Sequence, residues 1–188
     1  PCNDVDVTKI FVADTYTNFA DEKHIHFDGE LEDALSLRTL IINPMQQGAL
    51  SKIPLFSVGD YTWNMAEFDN MESWKSSLHA VLGEENAAAL ETIVPYLRYY
   101  DANSPLAALI EGFKGAYGSG NAEEAASLLK GELAAIAKAC ATLGAMKDSQ
   151  SSSDTLFYAD LRPWLIKLGT MVSDARFMID ALMAEDIS

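Results

Sequence analysis

The pattern of apolar and polar positions changes near Asp69, and the two parts of the chain predict different folds. Residues 37–42 form a short apolar and partly β-branched run that stops at Asn43 and Pro44, which predicts a buried strand. Residues 49–63 follow as a predicted helix with little polar surface. A strand followed directly by an apolar helix is the repeating unit of a (β/α) barrel and is not typical of a bundle.

In the second part of the chain the apolar residues recur at helical spacing. This predicts a bundle of about four to five helices over residues 70–188, preceded by a remnant of a barrel, in a mainly α fold. Gly83 is predicted to end one helix, Pro105 to begin another, and Asn121 to start a third through a capping box. Residues 147–154 are polar and Ser-rich, which is typical of a linker. The predicted helical core includes Trp74, Leu128, Leu133, Ile136, Leu168 and Phe177.

Composition narrows the classes of function. The chain has 188 residues, a net charge of −15 and a sequence pI near 4.4. An acidic protein of this kind repels the phosphate backbone, so nucleic-acid binding is not expected, whereas neutral substrates such as sugars remain open. Cys2 and Cys140 are far apart in sequence, which argues against a disulfide scaffold but leaves one bridge open. The start at Pro1, without a basic leader, suggests a segment of a longer protein.

The candidate chemical groups are few. His24 and His26 have no third ligand at metal-binding spacing, so neither a metal site nor a cofactor is predicted, and His79 on a helix is predicted to be structural. The strand-to-helix junctions remain, because the carboxyl ends of barrel strands line the active site. Asn43 ends the predicted strand, and Asp4 lies in a predicted loop upstream. Asparagine before proline is also a turn former, so both interpretations stay open.

The segment INPMQQGALSKIPLFSVGDYTWN, residues 42–64, closely resembles the last strand and helix of the catalytic barrel in glycoside hydrolase family 84. These enzymes are β-N-acetylglucosaminidases, also known as hyaluronidases or O-GlcNAcases. Upstream, PCND at residues 1–4 resembles the second half of the family's Asn-x-Pro-x-x-Asp segment. The helical remainder resembles the domain that follows the barrel in bacterial members. The likeness is specific over residues 1–69, apart from residues 14–33, and architectural over residues 70–188.

The resemblance implies that residues 1–69 are the end of a (β/α)8 glycosidase barrel and residues 70–188 a helical bundle domain after it. Asp4 and Asn43 match two residues that hydrogen-bond the hydroxyls of a terminal N-acetylglucosamine. The mechanism of this family resembles substrate-assisted hydrolysis with retention of configuration. In that mechanism the 2-acetamido group of the substrate attacks the anomeric carbon, and two adjacent aspartates assist. This chain has no adjacent aspartate pair, so it is expected to carry no catalytic residue and to be inactive alone.

The parent enzyme is therefore expected to act on glycans that carry N-acetylglucosamine, without a cofactor, and by family resemblance to be secreted or held at the cell surface. The alternative is a non-catalytic helical module for protein interaction. Separated from its barrel, residues 37–63 would expose an apolar strand edge and an apolar helix, so the segment is expected to dock them on the bundle or to associate with itself.

Overall fold

The computed structural model describes residues 10–14, 39–63, 65–97 and 105–185, and these form a mainly α fold, as predicted from the sequence. Short 3-10 turns follow three of the helices. The chain divides between Ala87 and Ala88 into two compact units, which we call the N-terminal and the C-terminal unit. In the described residues the elements are β1 (Ile10–Asp14), β2 (Thr39–Asn43), α1 (Lys52–Trp63), α2 (Asn70–Ile93), α3 (Pro105–Gly118), α4 (Glu123–Ala145) and α5 (Ser152–Glu185).

The two strands of the N-terminal unit are parallel neighbours. Their register runs from Ile10 opposite Thr39 to Asp14 opposite Asn43 without an offset. The predicted strand at residues 37–42 is confirmed with a small shift, because β2 ends on Asn43 itself. Within the described residues both strands lie before residue 45 and none lies in the bundle region, as expected.

Helix α1 begins at Lys52, three residues later than the sequence predicts. Pro54 lies in its first turn, where a backbone N–H has no partner within the helix, so the proline is tolerated. The buried residues of the helix lie on one face, namely Ile53, Pro54, Ser57, Val58 and Tyr61, and the opposite face exposes Phe56 and Trp63. Near its end, the rings of Tyr61 and Phe68 meet edge to face, with centroids 5.2 Å apart.

Helix α2 begins at a clear capping signal and is interrupted by a glycine. The Asp69 carboxylate accepts hydrogen bonds from the backbone N–H groups of Met71 and Glu72, at 2.9 and 2.8 Å. This satisfies two of the amides that a helix start leaves open. Gly83 has φ 71° and ψ 174°, a conformation that only glycine adopts readily. The first helical segment ends there, as predicted, and a second one continues to Ile93.

In the C-terminal unit α4 packs between α3 and α5. The predicted core residues Leu133, Ile136 and Leu168 are buried, at 3%, 0% and 8% exposure, and Trp74 in the N-terminal unit is buried as well. These assignments are confirmed. The described part of residues 70–188 contains four helices, within the predicted range.

Two of the predicted core positions are wrong. Leu128 is 58% exposed and Phe177 is 74% exposed. Successive residues of a helix are about 100° apart, so Leu128 faces away from the stripe that carries the buried Leu129. In α5, Phe177 likewise lies on a different side of the helix from Val172 and Ile179, which are buried.

The helix junctions of this unit also differ from the sequence prediction. Ala122 takes the N-cap position of α4 and no side chain caps it, so the capping box predicted at Asn121 is not formed. Only residues 152–154 of the predicted linker belong to α5, and the linker's first two residues are part of the 3-10 turn after α4. The Ser151 hydroxyl oxygen accepts a hydrogen bond from the N–H of Asp154 at 3.4 Å, and the Ser149 hydroxyl donates to the Asp154 carboxylate at 2.6 Å.

One polar contact ties the turn after α2 to α4. The phenol of Tyr96 donates a hydrogen bond to Oε1 of Glu132. Partial burial and the neighbouring carboxylate together raise the pKa of Tyr96 well above its ordinary value. The tyrosine therefore remains a neutral donor to the carboxylate throughout the physiological range.

Candidate functional site

The strand pair places two hydrogen-bonding residue types side by side at one edge. Asp14 is the last residue of β1, Asn43 is the last residue of β2, and the two are register partners. Because the strands are parallel, both positions lie at the same end of the pair, which we call the carboxyl edge. Neighbouring strands are about 4.7–4.9 Å apart, so the two backbone positions are close.

In both strands the residues change from apolar to polar at this edge. The first four residues of β1 are apolar (IFVA) and the fifth is Asp14, while the run LII in β2 is followed by Asn43. In α/β barrels and in open parallel sheets, ligands bind outside the carboxyl ends of the strands. The edge therefore has the location and the residue types of a polar binding site.

Of the two residues predicted to bind substrate, the structure places Asn43 at the carboxyl edge, and Asp4 lies outside the described residues. Sequence reasoning missed β1 and so missed Asp14, because it assigned the segment from Pro1 to Val12 to a loop. The apolar run at residues 10–13 is the signal that indicates the strand.

The turn that follows Asn43 is held by a buried serine. The Ser51 hydroxyl lies 2.8 Å from the carbonyl oxygen of Gln47 and 3.2 Å from that of Met45, and the side chain is 1% exposed. The backbone N–H of Ser51 also donates to the Gln47 carbonyl at 3.0 Å. Met45 and Leu50 are buried beside it. The chain leaving Asn43 is therefore packed and internally hydrogen-bonded within two residues of the edge.

The remaining candidate groups do not form a second site. Within the part of the chain that the structure describes, no three His, Cys, Asp or Glu side chains are grouped so that they could hold a metal ion. His24 and His26 lie outside the described residues. His79 lies at the surface with its Nδ1 3.0 Å from Oε2 of Glu84. The thiol of Cys140 is free and half-buried, and burial raises its pKa.

No helix among the described residues is both long enough and apolar enough to cross a membrane.

Two solved structures have a fold similar to that of this chain. The fold is similar to that of an O-GlcNAc hydrolase mutant from Thermobaculum terrenum, with a TM-score of 0.57 and 20% identity over 74% of this chain. It is also similar to the structure of CpGH84D, with a TM-score of 0.66 and 19% identity over 92% of this chain. The chain spans 29% of the length of each of these proteins. At such identities the likeness is one of fold.

The family itself is defined by sequence. Residues 1–95 match the family described as beta-N-acetylglucosaminidase. The chain belongs to this family, and the resemblance seen in the sequence is confirmed. The match includes the carboxyl edge, the turn held by Ser51 and the whole of α2.

Proposed function

We propose that this chain contributes the end of the catalytic barrel, residues 1–69, and the helical domain after it, residues 70–188, to a larger β-N-acetylglucosaminidase. The enzyme is retaining and substrate-assisted, and it removes terminal N-acetylglucosamine from glycoconjugates. Its adjacent aspartate pair is carried by an earlier part of the barrel. The short span of this chain relative to the similar structures supports such an arrangement.

A single observation carries the proposal. Strand β2 ends on Asn43 at the carboxyl edge of a parallel pair and leads through a packed turn into α1, all within the residues that match the family. This order and geometry are those expected of a βα unit in a barrel, where the strand end is the place at which barrel enzymes hold their substrates. The site is therefore proposed from the position of Asn43 together with the family.

The two proposed binding residues suit the hydroxyls of a sugar. An ionised carboxylate, as at Asp4, accepts hydrogen bonds from two hydroxyls, and an amide, as at Asn43, donates and accepts at once. A site that hydrogen-bonds a hydroxyl discriminates strongly against analogues without it, because its own polar groups are then left unpaired. Asp4 and Asn43 thus supply affinity and specificity for the sugar ring, and the aspartate pair supplies the chemistry.

The proposal is tested with the full-length gene product and an aryl β-N-acetylglucosaminide. Asn43→Ala should lower kcat/KM roughly 2- to 12-fold, the equivalent of one neutral hydrogen bond. Asp4→Ala should lower it roughly 10- to 150-fold, because hydrogen bonds to a charged group are stronger. Gln46→Ala removes an exposed amide three residues beyond Asn43 and is the matched control, expected to keep full activity.

The 188-residue chain alone should show no turnover, and the parent should release the β anomer first, as seen by proton NMR. Turnover by the isolated chain would contradict the assignment of the aspartate pair to an earlier segment. A parent that is inactive on this substrate, or an Asn43→Ala parent as active as the wild type, would contradict the proposed site.

A second candidate function, a helical module for protein interaction, is favoured by one surface of the C-terminal unit. Helix α5 exposes several large apolar side chains that its packing partners do not cover, namely Leu156, Ile166, Met171, Phe177 and Met178. Such side chains favour association. The isolated chain is accordingly expected to self-associate, with a sedimentation coefficient that rises with concentration. A concentration-independent monomer would exclude this role for the exposed residues.

A further inference from the structure

Helix α1 carries two exposed aromatic side chains to which the proposed function gives no role. Trp63 is 91% exposed and Phe56 is 40% exposed. They are seven residues apart in sequence, which is close to two helical turns, so both lie on one side of the helix at positions about 10 Å apart along its axis. The buried residues of α1 lie on the opposite side. An open apolar patch of this kind, when polar residues adjoin it, marks a binding site.

The space between the two aromatic residues is open, and a carboxylate borders it. Gly59 and Asp60 lie between them in the helix. A Cβ atom at Gly59 would meet no heavy atom of the described residues within 4 Å, apart from its chain neighbours and the backbone of its own helix. Asp60 is exposed, so its carboxylate is accessible to donors from a ligand. We call these four residues the aromatic face of α1.

The chemistry of this face fits a sugar chain. A pyranose ring presents C–H groups on its face, which pack against an aromatic ring, and hydroxyl groups at its edge, which donate to a carboxylate. A spacing of about 10 Å between the aromatic positions requires a ligand of several linked sugars, because one pyranose is too short to contact both. The net charge of −15 repels acidic polymers, so a neutral glycan is favoured over an anionic one.

We propose that the aromatic face of α1 binds a neutral oligosaccharide that contains N-acetylglucosamine. Two of its sugar rings stack on Phe56 and Trp63, and a hydroxyl between them donates to the Asp60 carboxylate. The choice of sugar rests on the proposed function. In a (β/α) barrel the helices form the outer ring, so the side of α1 opposite its buried residues stays open in the parent enzyme. A glycan held there raises the local concentration of further sugar ends on the same chain.

The binding test uses the 188-residue chain, which is expected to show no turnover, and the β-1,4-linked tetramer of N-acetylglucosamine as the probe. The chain has three tryptophans, so its proton–nitrogen NMR spectrum shows three indole N–H signals. The Trp63 signal is identified by its absence in Trp63→Phe. It should shift as the tetramer is added, whereas the signal of Trp74, which is buried, should not move.

The variants separate stacking from hydrogen bonding. Trp63→Ala should weaken the affinity for the tetramer roughly 10-fold or more, because it removes both the contact area and the ring, and Trp63→Phe should weaken it less. Asp60→Ala should weaken it roughly 2- to 12-fold through the loss of one hydrogen bond. Phe177→Ala is the matched control, since it removes an aromatic ring that is 74% exposed on α5, and it should bind as the wild type.

Each other outcome overturns the proposal. These outcomes are no binding of the tetramer, binding that leaves the Trp63 signal in place, and equal affinity of Trp63→Ala and the wild type. A hyaluronan tetrasaccharide, which is acidic, should bind more weakly, and equal binding would overturn the preference for a neutral glycan.

The full-length enzyme tests whether the face is open in the parent. Its migration in native gels that contain glycol chitin should be retarded, and Trp63→Ala should reduce the retardation. Equal retardation of the two proteins would mean that another part of the parent covers the face, which would overturn the proposal for the enzyme. Turnover of the aryl substrate is measured separately, so a parent without turnover contradicts the proposed function and leaves the binding result as it stands.

Discussion

The hydrogen bonds of Ser51 provide a quantitative test of how the turn after Asn43 is held. Replacing Ser51 with alanine removes the hydroxyl that bridges the carbonyls of Met45 and Gln47. The Gln47 carbonyl keeps the N–H of Ser51 as a donor, whereas the Met45 carbonyl loses its hydroxyl partner. Leaving a buried polar group unsatisfied costs about 1–3 kcal/mol, and Ser51 is 1% exposed. We expect Ser51→Ala to destabilise this turn by an amount in that range.

Ser57 is the matched control, because it is a second fully buried serine in the same unit. Its hydroxyl has no hydrogen-bond partner among the described residues. Alanine at this position removes an unsatisfied polar atom and favours the helix, so Ser57→Ala should be neutral or stabilising by up to about 1 kcal/mol. The two substitutions are chemically identical and differ only in what the hydroxyl contacts.

Native-state hydrogen exchange, read by mass spectrometry, measures the effect where it occurs. In Ser51→Ala, peptides that cover residues 45–58 should exchange roughly 5- to 150-fold faster, which corresponds to about 1–3 kcal/mol of local opening free energy. Peptides from α4 should exchange as in the wild type. Equal exchange in the Ser51 and Ser57 variants would refute the reasoning, because it would show that the bridging hydroxyl does not hold the turn.

Three further predictions, two of them with a control variant, concern the helices and are tested by the free energy of unfolding in urea. Asp69→Ala should cost about 0.5–2 kcal/mol, because two amides at the start of α2 lose their acceptor; a value near zero would mean that water replaces the cap. Gly83→Ala should lower the free energy of unfolding by about 1–3 kcal/mol, because Gly83 has a positive φ. Gly131 is exposed within α4, and Gly131→Ala should raise the free energy of unfolding by about 0.5–1 kcal/mol. Equal effects of the two substitutions would contradict the interruption of α2 at Gly83. Leu133 is buried, so Leu133→Ala should lower the free energy of unfolding by about 2–5 kcal/mol. Leu128 is exposed, so Leu128→Ala should lower it by less than about 0.5 kcal/mol. The reverse order would contradict the burial assignment.

The ends and interruptions of the helices could be predicted from the sequence where they depend on the backbone conformation of a single residue. Pro105 begins α3 and Gly83 interrupts α2, as expected, because proline fixes φ and glycine alone adopts the required positive φ. Leu133 was placed correctly because its stripe repeats over six turns of α4. Leu128 and Phe177 were not, because both are apolar and only the positions of neighbouring helices decide which apolar side a helix buries.

The candidate site could be predicted only in part, for a different reason. Asn43 was found because a proline follows it and marks the end of the strand. Asp14 was missed, because its significance depends on pairing between β1 and a strand that lies 25 positions later in the chain. In a strand of only five residues, the pattern of apolar and polar positions does not indicate which distant segment the strand pairs with. The bridging role of Ser51 likewise depends on a turn geometry that the residue types alone do not specify.

The interruption of α2 has a consequence for how chain length varies during evolution. After Gly83 the helix buries Ala87, Leu90 and Ile93 in succession. A single inserted or deleted residue between Gly83 and Ala87 would rotate all later positions by about 100° relative to those before it, and would turn this buried series towards solvent. The turn at residues 147–150 carries exposed polar side chains at most positions and tolerates such changes. Natural relatives of this chain are therefore expected to differ in length at the turn before α5 and to keep a constant length from Gly83 to Ile93.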